Sequence, residues 1–194
     1  MLIVENDATR VDGALGAGQL ACPHCGGELR PWGWARSRIL RRVDGPYEHR
    51  PRRSCCRECR KTSVLLPDVS LLRRVDEAAV IGTALLERTR GAGQRTIAKV
   101  LGRPRETVRG WLRRFEENAQ KLAAHFSAWA FALDARLAEI EPSSSPFGAA
   151  LEGIGLATRA ANILLGPRPV WSWASAMTGG RLVSNTNTPF PAPR

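Results

Sequence analysis

Residues 94–113, QRTIAKVLGRPRETVRGWLR, are the stretch of sequence that decides the fold. Ile97 and Leu101 are four residues apart and share one face of a predicted helix, after which Gly102 supplies a turn. Pro104 suits the start of a second helix, because its missing N–H would have no helical partner there. Apolar residues then line one face of that second helix at Val108, Trp111 and Leu112. The stretch therefore predicts two short helices that pack across a tight turn.

The opposite face of the second predicted helix is basic. Arg105, Arg109 and Arg113 follow one another at intervals of four residues, so they project on the same side. A helix fits the major groove of DNA, where Arg binds guanine and Glu accepts from cytosine. We predict DNA contacts from both helices: Arg95, Lys99, Arg103, Arg105, Glu106, Thr107, Arg109 and Arg113. Arg95, Lys99 and Arg103 are expected near the phosphates that flank the groove. The alternative interpretation of the arginine row is a solvated basic helix face.

The charge of the chain supports a polyanionic partner. Its formal net charge is +11, from 29 basic and 18 acidic side chains in 194 residues. Residues 22–62 hold 11 basic and 4 acidic side chains, whereas residues 121–194 are nearly balanced, so the excess is concentrated rather than spread as a solubilising coat. The sequence contains neither a secretory leader pattern nor an apolar run long enough for a membrane span, which predicts a cytoplasmic, nucleoid-associated protein without a membrane partner.

Four of the five cysteines form two Cys-x-x-Cys pairs, at Cys22 with Cys25 and at Cys56 with Cys59. Two such pairs complete a tetrahedral thiolate set for one zinc ion, and four protein ligands leave no position for substrate, so the site is predicted to be structural. Disulfides and a thioredoxin-type redox motif are disfavoured by the expected compartment and by the absence of a βαβ pattern, while spacing alone leaves iron–sulfur ligation open. Cys55 is interpreted as a free thiol that could substitute for Cys56.

Residues 20–67 around these cysteines are predicted to form a zinc ribbon. Asp44-Gly45 is a hairpin-turn signal between Ile39-Leu40 and Tyr47, and a further extended run spans Ser63 to Leu66. A segment this small cannot bury a self-sufficient core, so we predict that zinc binding and folding of the ribbon are one event.

The rest of the chain is predicted to be helical, giving a mainly α fold with a small β zinc ribbon. A lead-in (1–19) and the ribbon precede a helix-turn-helix region (70–118), for which Asp76 is the expected first N-cap. Apolar periodicity in a helical region (119–184) predicts a C-terminal helical hairpin, with a break at 141–146 and a disordered tail (185–194). Its helices either pack on the central bundle or pair with a second copy through residues 119–165.

The central motif resembles the helix-turn-helix of bacterial regulators and of transposase N-terminal regions. The resemblance rests on Ile97, Ala98, Leu101, Gly102, Thr107, Val108 and Trp111. Arg103 departs from it, because an apolar residue is more usual there. With the paired cysteine motifs and the run CRECRKTSVLLP at 56–67, residues 20–118 resemble zinc-ribbon plus helix-turn-helix proteins related to the DNA-binding ends of insertion-sequence transposases. The resemblance covers about half of the chain and implies DNA binding.

Catalysis is not predicted. A transposase domain would need three carboxylates on a ribonuclease-H-like sheet, whereas residues 119–194 hold acids only on predicted helices: Asp134, Glu139, Glu141 and Glu152. The phosphate-binding pattern GxxxxGK[ST] does not occur in the sequence. We therefore expect a non-catalytic, sequence-specific double-stranded DNA-binding protein, either a transcriptional regulator or a transposase-related accessory or truncated protein. The alternative is an RNA-binding or polymerase-associated assembly factor with a structural zinc ribbon.

Overall fold

The computed structural model describes residues 1–135, 145–185 and 188–192. Within these residues a small mixed sheet at the N-terminus is followed by a helical body. The strands are β1 (Leu2–Val4), β2 (Leu29–Trp34), β3 (Arg38–Arg41), β4 (Pro46–His49), β5 (Arg52–Cys56) and β6 (Thr62–Pro67). The helices are α1 (Ala8–Gly16), α2 (Ala78–Thr89), α3 (Gln94–Leu101), α4 (Arg105–Leu133), α5 (Pro146–Leu165) and α6 (Val170–Met177).

The four-stranded sheet has the order β1-β6-β5-β2, in which β1 is parallel to β6 and the other pairs are antiparallel. The predicted hairpin is present as a separate pair, β3 with β4, and its turn includes Asp44 and Gly45. Between the β2–β5 pair and the β3–β4 pair, Ala35 N–H donates to the carbonyl of Pro51 at 2.8 Å. Strands β2 and β3 on one side and β4 and β5 on the other therefore form one long, bent hairpin.

A small core lies between this sheet and α1. Its buried members are Val11, Leu15, Cys22, Leu29, Cys56 and Leu65. Residues 1–19, for which the sequence predicts only a lead-in, supply β1 and α1. Asp7 caps α1 by accepting from the backbone N–H groups of Thr9 and Arg10. The N-terminal segment thus covers one side of the sheet that carries the cysteines.

The helical body buries a second, larger core among α2 to α6. Helix α4 has 29 residues, so the second helix of the predicted motif continues without interruption into the helix expected from Ala119 onward. Helix α5 packs along α4, where Phe115 and Phe147 make an edge-to-face contact with ring centroids 4.7 Å apart. The helical hairpin therefore closes within one chain.

One expected helix cap is wrong. Helix α2 begins at Ala78 with Glu77 at the N-cap and no side-chain cap hydrogen bond, so Asp76 does not cap it. Asp76 instead accepts hydrogen bonds from two arginines at the sheet–helix junction. Ion pairing satisfies both oxygens of this buried carboxylate, which a single cap contact would not.

Two further expectations fall partly outside the described residues. Glu139 and Glu141 lie outside the described residues, and so does most of the predicted break at 141–146. Of the tail at 185–194, Phe190 is described and packs against the ring of His125, with centroids 4.8 Å apart. Among the described helices, none combines the length and the apolar character that crossing a membrane requires.

Candidate metal centre and nucleic-acid interface

The two Cys-x-x-Cys pairs come together as one cluster. The Sγ atoms of Cys22, Cys25, Cys56 and Cys59 all lie within 4.8 Å of one another. Across the pairs, Cys22 lies 3.7 Å from Cys59 and Cys25 lies 3.5 Å from Cys56. Tetrahedral bonds of about 2.3 Å place thiolates about 3.8 Å apart, so these four side chains fit a single metal ion.

The two pairs have matching backbone geometry. Cys22 N–H donates to the carbonyl of Gly27, and Cys56 N–H donates to that of Lys61, each five residues ahead. The residue after the second cysteine has positive φ in both turns, at 77° for Gly26 and 60° for Arg60. Glycine adopts that conformation readily, whereas arginine adopts it at a cost. The two Cys-x-x-Cys turns therefore have equivalent backbone conformations.

Backbone amides also favour thiolates in this cluster. Burial alone would raise the pKa of the Cys22 thiol, but hydrogen bonds from backbone N–H groups of His24 and Cys25, with contacts from neighbouring thiols, lower that pKa to about 7. Burial and the adjacent Glu58 side chain instead raise the pKa of Cys56. Cys55 points elsewhere, since its Sγ lies 3.5 Å from the carbonyl of Arg60. The geometry therefore selects Cys56 as the cluster member.

Helix α3 and the start of α4 form the predicted two-helix motif, and α2 packs against both. Gly102 ends α3 in the left-handed conformation, with φ at 59°, and Pro104 precedes the first residue of α4. The inward face of α4 is buried through Val108, Trp111, Leu112 and Phe115. This packing fixes which side of α4 faces solvent.

The solvent face of α4 carries the predicted row of arginines. Arg105, Arg109 and Arg113 are all exposed; within the described part of the chain, Arg109 pairs with the exposed Glu106 and Arg113 lies 3.9 Å from the exposed Glu117. Arg95 and Lys99 are exposed on α3, whereas Thr107 is half-buried. Pairs between exposed side chains are weak, so these cations are free to exchange their partners for phosphates or base edges.

Arg103 has a different environment from the other predicted contacts. Its Nε donates to Asp76 at 2.6 Å, and its Nη2 donates to the backbone carbonyl of Arg42 at 3.0 Å. Asp76 is only 2% exposed and also binds Arg41, while Arg42 binds Glu77. We call these five residues, Arg41, Arg42, Asp76, Glu77 and Arg103, the Asp76 clasp. The Asp76 clasp joins the tip of the β3–β4 hairpin to the turn between α3 and α4.

Sequence reasoning missed the Asp76 clasp because its signals are ambiguous. An Asp-Glu pair before an apolar helix is typical of an N-cap and a first turn. Two adjacent arginines on a strand are equally typical of a solvated hairpin. Only the fold brings Arg41 and Arg42 next to residues 35 positions later in the chain.

Comparison with known families supports this interpretation of the helices. Residues 73–123 match the family model of a homeodomain-like domain, which spans α2, α3 and the first part of α4. The match confirms a helix-turn-helix domain of a DNA-binding class. No curated protein and no solved structure matches the chain.

Proposed function

We propose that this protein is a non-catalytic, sequence-specific double-stranded DNA-binding protein. The observation that carries the proposal is the row of exposed arginines on α4, opposite a fully buried face, inside the segment that matches a homeodomain-like domain. The N-terminal part of this helix exposes three arginines beside Glu106, a face that is suited to the major groove.

In the proposed complex the first three turns of α4 enter the major groove. Arg105, Arg109 and Arg113, with Glu106 and Thr107 beside them, face the base edges, where arginine recognises guanine with two hydrogen bonds. Arg95 and Lys99 on α3 contact phosphates at the groove edge. Arg103 is assigned a positioning role, because its guanidinium is already bound within the Asp76 clasp.

The cysteine cluster is proposed to hold one structural zinc ion. Cys22, Cys25, Cys56 and Cys59 supply four thiolates, and this donor set favours zinc. When bound, the ion cross-links two turns at the far end of the bent hairpin. The protein's own contribution is to orient the sulfurs with backbone N–H groups, such as that of Cys59 to Cys56 Sγ at 3.5 Å.

We further propose that two copies pair through the end of α5. Ile163, Leu164 and Leu165 are all exposed, although the faces of α4 and α5 that meet each other are buried. One helix-turn-helix reads a half-site, and a two-fold dimer reads two. Such a dimer suits either a transcriptional regulator or a transposase-related accessory protein that binds element ends.

The proposal is tested by selecting bound duplexes from a random pool with the full-length, zinc-loaded chain. We expect enrichment of a short motif that is rich in guanine at the positions read by α4. Affinity for the enriched duplex should then exceed affinity for a structured RNA of equal length at the same salt concentration. A pool without enrichment, or tighter binding to the RNA, would contradict the proposal.

A further inference from the structure

Two tryptophans on the N-terminal sheet are unusually exposed. Trp32 is 54% exposed and Trp34 is 45% exposed, whereas Trp111 and Trp173 are buried in the helical core. Indole rings are highly buried on average, and exposed aromatic clusters commonly mark binding surfaces. Nothing in the proposed duplex contact of α4 uses these two side chains.

The backbone around these residues presents them at an open edge. Strand β2 is the outer strand of the sheet, and its pairing with β5 is irregular between Pro31 and Trp34. Gly33 between the tryptophans has φ of 88°, and a Cβ built on it would meet no atom within 4 Å. Such irregularities re-aim side chains at sheet edges, so both indoles are displayed toward free space.

One cation contacts Trp34 directly, and two more lie on the residues that follow or face it in the hairpin. The guanidinium of Arg52 lies over the Trp34 ring, 4.2 Å from its centroid, while the indole remains substantially exposed. An open depression of about 590 Å³ begins two residues after Trp34. It is lined by Arg36, Ser37, Glu48, His49 and Arg50. Its carboxylate, Glu48, already accepts a hydrogen bond from Ser37 at 2.6 Å. Two exposed arginines thus lie where a polyanion could follow the aromatic pair.

Exposed aromatic rings with adjacent cations are the combination that binds unpaired nucleotides. Bases stack on the rings and phosphates are neutralised by the cations, largely without regard to sequence. In duplex DNA the faces of the bases are already stacked on each other. A duplex therefore offers the indoles nothing to stack on, whereas a single strand does.

We propose that Trp32 and Trp34, with Arg36 and Arg50, form a second nucleic-acid site, which binds single-stranded DNA. The site is separate from the arginine face of α4 and does not depend on duplex recognition by that helix. The protein would accordingly bind a duplex that carries an unpaired extension more tightly than the duplex alone.

The test measures the affinity of the full-length chain for fluorescein-labelled oligo(dT) of 20 nucleotides by fluorescence anisotropy. The double variant Trp32→Ala/Trp34→Ala should bind about tenfold or more weakly, since each lost base–ring stack contributes substantially to affinity. Trp32→Phe/Trp34→Phe should recover most of the affinity and abolish indole quenching on binding. Phe131→Ala removes an aromatic side chain of similar exposure, 51%, on α4 and serves as the matched control.

The outcomes separate this site from the duplex proposal. Loss of oligo(dT) binding in the alanine variant, with unchanged affinity for the selected duplex and an unchanged unfolding temperature, would support it. Equal oligo(dT) affinity for the alanine variant and the wild-type protein would overturn it. An equal loss in Phe131→Ala, tighter binding to oligo(rU), or an effect confined to self-association in sedimentation would also overturn it.

Discussion

Arg103 and Arg109 lie six residues apart in one charged stretch but have opposite environments. Arg109 is exposed and pairs with the exposed Glu106. Arg103 is mostly buried and donates to Asp76 and to a backbone carbonyl of the hairpin. Charge pattern alone groups the two together, whereas burial separates a side chain free to read DNA from one that holds the fold.

Replacement of Arg109 should change sequence preference. Arg109→Ala is expected to cost on the order of 1–3 kcal/mol of binding free energy for the selected duplex and to relax preference at one base pair. Lys99→Ala should instead weaken binding to all duplexes alike and lower the slope of log affinity against log salt concentration by about one. Anisotropy titrations at several salt concentrations measure both effects. If both variants retained wild-type affinity and salt slope, the proposed docking of α4 would be wrong.

Neighbouring cysteines provide a matched pair for the metal site. Cys56→Ser should remove bound zinc, because one of four thiolates is lost, and should disorder residues 22–66, whose folding is expected to depend on the metal. Cys55→Ser should retain one zinc per chain, since the Cys55 sulfur points away from the cluster. Metal analysis of the purified proteins and their amide NMR spectra give the answer. Retention of zinc by Cys56→Ser together with its loss from Cys55→Ser would reverse the assignment.

At the scale of secondary-structure elements, local sequence signals predicted the helices better than the sheet. Gly93 and Gly102 flank α3, Pro104 precedes α4, and an apolar face runs through each helix, so the two-helix motif is encoded locally. Strand β1 pairs with β6, more than sixty residues away, and α1 contributes Val11 and Leu15 to a core shared with two cysteines. Such long-range pairing leaves little periodicity in a short segment.

The cysteine cluster and the arginine row could be predicted from residue spacing in the sequence, whereas the Asp76 clasp could not. The four clustered cysteines and the arginine row on α4 follow fixed spacings, which the sequence displays directly. The Asp76 clasp depends on how the hairpin tip meets the turn between α3 and α4, and a buried carboxylate between two arginines has no spacing signature. Trp32 and Trp34 carried no periodic signal either, because their exposure results from the irregular edge of β2.

The Asp76 clasp should stabilise the junction of hairpin and helix-turn-helix. Asp76→Asn retains the shape of the side chain but leaves Arg41 and Arg103 without their shared counter-charge. We expect a loss of about 3 kcal/mol in the free energy of unfolding, because breaking a buried ion pair leaves an uncompensated charge. Urea denaturation measures this loss. Glu106→Gln, which removes an exposed pair, should leave the midpoint unchanged; an equal effect of both substitutions would show that burial of Asp76 is unimportant.

At the scale of the whole molecule, the sheet and the helical body have separate hydrophobic cores, and polar contacts join the two parts. The Asp76 clasp joins them at one place, and Arg168, which binds both Asp68 and Glu5, joins them at another. Ser175 also donates to the carbonyl of Ser70 at 2.6 Å. These directional contacts tie the sheet that carries the cysteine cluster to the helical body that carries α4.

The proposed dimer is tested by changing the exposed end of α5. Ile163→Glu introduces a charge into the apolar run and should convert a dimer into a monomer in sedimentation velocity at micromolar protein concentration. Val100→Glu, at a similarly exposed position on α3, should leave the sedimentation coefficient unchanged; the exposed fractions of the two side chains are 73% and 68%. A wild-type protein that sediments as a monomer would contradict the dimer.

The central claim is that the exposed face of α4 binds duplex DNA. It is tested most directly by an NMR titration of the ¹⁵N-labelled, zinc-loaded full-length chain with the selected duplex at low salt. We predict that the largest amide shift changes fall between Arg105 and Arg113, with smaller changes at Arg95 and Lys99, while the middle of α5 is unaffected. Changes concentrated in α5 and α6, or none at any residue of α4, would contradict the account.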